Sequence, residues 1–216
     1  MIVLGLTGSI GMGKSTAAAV LRALGLPLFD ADQVVHRLLE PNGAAVGLVA
    51  AAFADVGAGA NGIDRGLLGC RVFADPAALS RLEAIIHPLV EQAEKRFLAH
   101  AHSRRALIAV LDIPLLFETG GERRCDYVLV VSAPKFVQRQ RVLRRPGMSE
   151  ARLAAILAQQ MPDAEKQRRA DFVVRTGLNR KQSLHRLRAI VRLLRNAPPG
   201  FGSKRRHASV RRRRKV

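Results

Sequence analysis

Residues Gly8-Ser9-Ile10-Gly11-Met12-Gly13-Lys14-Ser15 fill every fixed position of G-x-x-x-x-G-K-[ST]. No other stretch of the 216-residue chain constrains its fold as strongly. The glycines let backbone N–H groups converge on an anion where a Cβ would obstruct them. A helix beginning near Lys14 points its positive end at the same place. Lys14 then reaches the β- and γ-phosphates of a nucleotide, and the Ser15 hydroxyl ligates Mg²⁺. With Thr16, this stretch makes up the expected nucleotide contacts. The flanks agree: residues 2–7 are a short apolar, β-branched run typical of a buried strand. Residues 15–24 read as an Ala- and Leu-rich helix, ended by Gly25. This chain is expected to bind a nucleoside triphosphate.

The same alternation continues along the chain. Strands are predicted over 26–29, 107–111, 127–131 and 172–174, and helices over 32–40, 44–53, 77–87 and 89–101. Amphipathic helices follow over 136–145 and 150–169, split by the turn Arg145-Pro146-Gly147, and a last helix spans 180–195. Pro41-Asn42-Gly43 stops one helix, and residues 57–64 read as a loop. Short apolar strands alternating with helices give an α/β fold with a mainly parallel five-stranded sheet covered by helices on both faces.

A phosphate-binding loop alone does not identify the phosphoryl acceptor. Asp30 and Asp32 lie at the carboxyl end of the second strand, the edge where α/β sheets build their sites. In the α region residues two apart face different ways, so at most one of the pair points at an acceptor. A carboxylate there takes the proton of an attacking hydroxyl; the competing role for either residue is to cap the following helix. Asp112, ending the third strand, is the candidate for the magnesium shell, in the manner of a Walker-B Asp, or else a strand-end turn residue.

The net charge of +19 is distributed unevenly. Residues 1–130 carry 12 Lys/Arg against 13 Asp/Glu, residues 131–195 carry 16 against 4, and residues 196–216 carry 8 against none. A basic segment facing a neutral one suits a multiply charged phosphate anion. No Trp, one Tyr and eight Phe argue against reading single strands by base stacking. Two cysteines, Cys70 and Cys125, make no disulfide framework and fit a reducing cytosol. No apolar run approaches the roughly 18 residues of a membrane span, and no basic stretch precedes the apolar N-terminus as in a secretory signal. A cytoplasmic protein is expected.

Residues 7–16 with Asp30-Ala31-Asp32 resemble the dephospho-CoA kinase family, whose members phosphorylate the ribose 3′-hydroxyl of dephospho-CoA in the last step of coenzyme A synthesis. Further stretches agree in order: Asp64-Arg65 with Val72-Phe73, Leu82-Glu83-Ala84-Ile85-Ile86-His87-Pro88, and Ile113-Pro114-Leu115-Leu116-Phe117-Glu118. Ala133-Pro134, Gln138, Arg141, Arg145, Gln160 and Ala170-Asp171 follow, and the resemblance covers residues 1–195. It implies a P-loop kinase core (1–40, 105–135, 170–195), a helical substrate-binding insertion (about 41–104) and a helical lid (about 136–169). It also implies ATP and Mg²⁺ as cofactors, Asp32 as the favoured base with Asp30 as the other candidate, and Lys14, Arg141 and Arg145 on the phosphates. Ser15 and Asp112 would hold the metal, and Asp32, Arg65, His87, Pro114 and Leu115 would lie on the substrate side. Two positions depart from the family: Thr176 stands where an adenine-side Asn is usual, and His36 where an Arg is common.

Residues 196–216 lie beyond the resemblance. Ala197-Pro198-Pro199-Gly200 breaks the last helix, and Arg211-Arg212-Arg213-Arg214-Lys215 is a like-charge run, expected to be a solvated appendage. The expected partner is dephospho-CoA, with no specific nucleic acid and no membrane, and the chain is expected to act as a monomer. A nucleoside monophosphate kinase, or another small-molecule kinase, is the competing reading. A nucleotide-binding, RNA-associated protein using the basic tail is a more distant one.

Overall fold

The apolar runs become strands, and the amphipathic segments between them become helices. The computed structural model describes residues 1–56, 58–59, 62–177 and 179–197; the basic run of the tail and part of the 57–64 loop lie outside them. In chain order the first elements are β1 (Ile2–Thr7), α1 (Lys14–Ala23), β2 (Leu28–Asp30), α2 (Ala31–Leu39) and α3 (Val46–Ala52). A short antiparallel pair, β3 (Ala58–Gly59) and β4 (Gly62–Ile63), precedes α4 (Arg65–Ala74), α5 (Pro76–Ser103) and β5 (Ile108–Asp112). Then come β6 (Tyr127–Ser132), α6 (Lys135–Leu143), α7 (Glu150–Ala158), α8 (Asp163–Arg169), β7 (Phe172–Arg175) and α9 (Arg180–Arg195).

The chain divides into two compact units, Asp30–His100 and the described residues on either side of it. The flanking unit contains the five-stranded sheet, in the order β2-β5-β1-β6-β7. Strand β1 pairs in parallel with β5 and β6, and β6 in parallel with β7. Side chains alternate across the strands. One set, Leu4, Leu6, Ile108, Val110, Leu129 and Val131, packs against Ala17, Ala18 and Leu21 of α1 and Leu187, Ile190, Val191 and Leu194 of α9. Each fully buried aliphatic chain contributes about 1.5–3 kcal/mol. On the other face Gly5 has no space for a side chain, because Cys125 and Leu116 would each lie 2.8 Å from its Cβ.

The Asp30–His100 unit has its own core of Leu39, Val49, Phe53, Val56, Ile63, Leu68 and Ile86. Among the described residues no helix is long and apolar enough to cross a membrane.

Three expectations need correcting. The predicted helices 77–87 and 89–101 are one helix, α5, with Pro88 inside it. Proline removes one i→i−4 bond, but Pro88 and Ala84 are both exposed, so the freed Ala84 carbonyl can turn to water. Conversely, the single helix predicted over 150–169 is two, α7 and α8, separated at Met161-Pro162, because a residue before proline disfavours the α region. Helix α4 is additional: Gly66 and Gly69 obscure it in sequence, yet Asp64 caps it by accepting from the N–H groups of Gly66 (2.8 Å) and Leu67 (3.0 Å).

Candidate active site

Strand β1 runs straight into the glycine-rich loop, and α1 begins at Lys14. Gly8 is buried, and a Cβ there would lie 2.7 Å from the Val131 carbonyl oxygen. Gly11 and Gly13 hold φ angles of +75° and +92°, a region that residues with a Cβ rarely enter. Gly13 is also the N-cap of α1 and provides no side-chain acceptor. The first-turn N–H groups of a ten-residue helix are thus left facing outward with the positive end of its dipole. This is a cradle for a phosphate.

Strand pairing brings a carboxylate to that cradle. Leu6 aligns with Asp112 in the β1–β5 register, so Asp112 emerges beside the loop that follows β1. The Lys14 ammonium lies 2.9 Å from Asp112 Oδ1, with the Asp112 side chain only 3% exposed. A carboxylate that deep demands a cation, and Lys14 supplies it.

Residues far along the chain brace the loop. Gln138 on α6 donates to the Ile10 carbonyl at 2.8 Å, and the Ile10 N–H donates to Gln160 Oε1 at 3.1 Å. The Arg141 guanidinium donates to the Gly11 carbonyl (3.3 Å), the Thr176 hydroxyl (3.2 Å) and the Thr176 carbonyl (2.7 Å). Thr176 in turn donates its hydroxyl hydrogen to the Met12 carbonyl. Arg145 is exposed in the turn after α6, and among the described residues its guanidinium has no protein partner. Arg139, by contrast, pairs with Glu150 across α6 and α7.

The remaining expected residues sit as follows. Asp30 caps α2, accepting from the Gln33 N–H at 3.1 Å, while Asp32 is exposed in its first turn. Arg65 opens α4 and donates to His36 Nε2 at 2.6 Å, and the same nitrogen is 3.9 Å from Glu40 Oε1. Within this unit Arg65 and His36 are therefore neighbours. His87 is exposed on α5. In the sheet unit the Pro114 carbonyl accepts from the Thr7 hydroxyl at 2.8 Å, and Leu115 is 39% exposed.

The sequence profile of the dephospho-CoA kinase family matches residues 2–182. This chain belongs to the dephospho-CoA kinase family. It is 55% identical over 195 residues to the dephospho-CoA kinase of Rhodospirillum rubrum, covering 90% of this chain and 92% of that one. It is 58% identical over 199 residues to the dephospho-CoA kinase of Paramagnetospirillum magneticum, covering 92% and 93%. Among solved structures, a Thermus thermophilus protein superposes with a TM-score of 0.76 at 37% identity, covering 88% of this chain and 96% of that one. The matched residues 2–182 include the glycine-rich loop described above. The Thr176 hydroxyl braces the loop from behind. Sequence reasoning missed this bracing by Gln138, Gln160 and Thr176, since it joins residues more than 120 positions apart that carry no local pattern.

Proposed function

We propose that this chain transfers the terminal phosphoryl group of ATP to the ribose 3′-hydroxyl of dephospho-CoA, giving coenzyme A and ADP in the cytosol. The observation that carries this reading is the Lys14–Asp112 pair beside the phosphate loop of a chain in this family. Ser15 and Asp112 offer the hard oxygen donors that Mg²⁺ takes together with nucleotide phosphates. Bound MgATP supplies the transferable group and neutralises its oxygens. With MgATP bound, Lys14 would hold the β- and γ-phosphates, and Asp112 with Ser15 would hold the metal. Arg145, without a partner among the described residues, closes on the same phosphates with the lid; Arg141 holds the loop from which they hang. Asp32 takes the proton of the ribose hydroxyl, and the Asp30 carboxylate caps α2. Arg65 and His87 of the Asp30–His100 unit are binding residues for the coenzyme A precursor, and Pro114 and Leu115 of the sheet unit are further substrate residues. Cys70 and Cys125 are not joined in a disulfide, which suits a reducing compartment.

An acceptor panel tests the reading. MgATP with dephospho-CoA yields ADP at least ~10²-fold faster than with AMP, CMP or shikimate, since a site built to pair a substrate's polar groups rejects acceptors lacking them. Faster turnover of a mononucleotide would favour a nucleoside monophosphate kinase instead. Deleting residues 197–216 leaves kcat and both KM values within ~2-fold, because like-charge tails contribute to nonspecific association and not to chemistry. A loss beyond ~10-fold would place the tail in the site.

A further inference from the structure

The mechanism leaves one unusual group unused. Lys166, on α8, is the only fully buried charged side chain among the described residues, at 0% exposure. Its ammonium lies 2.8 Å from Glu118 Oε1 and 3.4 Å from the Pro114 carbonyl oxygen. That carbonyl also accepts from the hydroxyl of Thr7, the residue just before Gly8. Glu118 Oε1 accepts a second bond, from the Met161 N–H at 2.8 Å, while its Oε2 meets no donor among the described residues. Three pieces of chain therefore converge on one ammonium and one carboxylate. They are the end of β1 entering the phosphate loop, the segment leaving β5 two residues after Asp112, and the joint where α7 passes into α8.

A buried ion pair adds little net stability over an apolar pair of equal volume. What it fixes is geometry: an ammonium between a carboxylate and a carbonyl tolerates little displacement of either. We propose that Lys166 is a positioning residue for phosphoryl transfer. Through Glu118 and the Pro114 carbonyl it sets the register of Asp112, Pro114 and Leu115 against the phosphate loop and the far end of the lid. This inference rests on the dephospho-CoA kinase reading above. Phosphoryl transfer is sensitive to misplacement of about 1 Å, so losing the pair is felt in turnover before it is felt in nucleotide binding.

The test compares Lys166→Met, the double variant Lys166→Met/Glu118→Leu and Thr7→Val with the parent enzyme, measuring kcat, KM for ATP and Tm. Lys166→Met lowers kcat by ~10²-fold and lowers Tm, because Glu118, whose side chain is 16% exposed, is left without its cation. The double variant recovers most of the Tm but stays ~10-fold or more below the parent in kcat, with KM for ATP within ~2-fold. Thr7→Val removes the other donor at the Pro114 carbonyl without touching a charge, and lowers kcat in the same direction by ~10-fold. A double variant that recovers kcat together with Tm would reduce Lys166 to a structural role, as would Thr7→Val turning over like the parent. If the double variant does not fold, Thr7→Val decides alone. A parent that phosphorylates no dephospho-CoA overturns the functional reading instead, so the two failures are distinct.

Discussion

Replacing Asp32 with Asn lowers kcat by ~10²–10⁴-fold, the range that a positioned general base contributes. The KM for ATP stays within ~2-fold, because the lost interaction is made only as the hydroxyl gives up its proton. The side chain is exposed in the first turn of α2, so the variant folds with a Tm close to that of the parent. The neighbouring carboxylate gives the contrasting result. Asp30 caps α2 through the Gln33 N–H, so Asp30→Ala costs about 1 kcal/mol of stability and reduces kcat far less. Asp30→Asn keeps a capping oxygen and is close to neutral. If Asp30→Asn abolished turnover while Asp32→Asn did not, the two roles would be reversed.

Lys14→Met damages chemistry and folding together. In the transition state the ammonium faces charge spread over the phosphate oxygens, and removing one such preorganised donor costs ~10²–10³-fold in kcat. In the unliganded protein the same change strips the cation from Asp112, whose side chain is 3% exposed. Breaking a buried pair costs roughly 3–5 kcal/mol; with Lys14 itself 16% exposed, about 3 kcal/mol is expected. For a domain of this size that lowers Tm by roughly 6–12 °C. Adding Asp112→Asn to Lys14→Met restores much of the Tm and none of the activity. Calorimetry beside steady-state kinetics checks both halves. A Lys14→Met protein as stable as the parent would mean that Lys14 does not neutralise Asp112.

The parts of this fold legible in the sequence are those set by short-range rules. The octapeptide forces a strand–loop–helix, and the alternating apolar runs become the five strands of the sheet. Asp112 is readable as the end of a buried run, whereas its pairing with Lys14 comes from the β1–β5 register. Long-range contacts explain what was not legible. Proline gives opposite results at two positions: Pro88 sits inside α5, where its turn faces solvent, whereas Pro162 parts α7 from α8. At the second site the Met161 N–H is taken by Glu118, 43 residues earlier in the chain, an acceptor that no local pattern announces. Lys166 shows the same limit, since in sequence it is one cation in a basic segment and in the fold it is buried between Glu118 and Pro114. Of the basic residues grouped by charge on α6 and the turn after it, Arg139 pairs with Glu150, Arg141 braces the loop and Arg145 has no partner among the described residues. Those differences come from tertiary placement, not from spacing.

The central claim is that this phosphate loop delivers its phosphoryl group to one particular sugar hydroxyl. It is tested most directly by identifying the product formed from γ-labelled ATP and dephospho-CoA, with the position of the new phosphate read by phosphorus NMR. The account predicts stoichiometric ADP and a single new monoester on the ribose 3′-oxygen, formed by the parent enzyme and lost with Asp32→Asn. Label released as inorganic phosphate with no monoester, or a phosphate on any other oxygen, would contradict it.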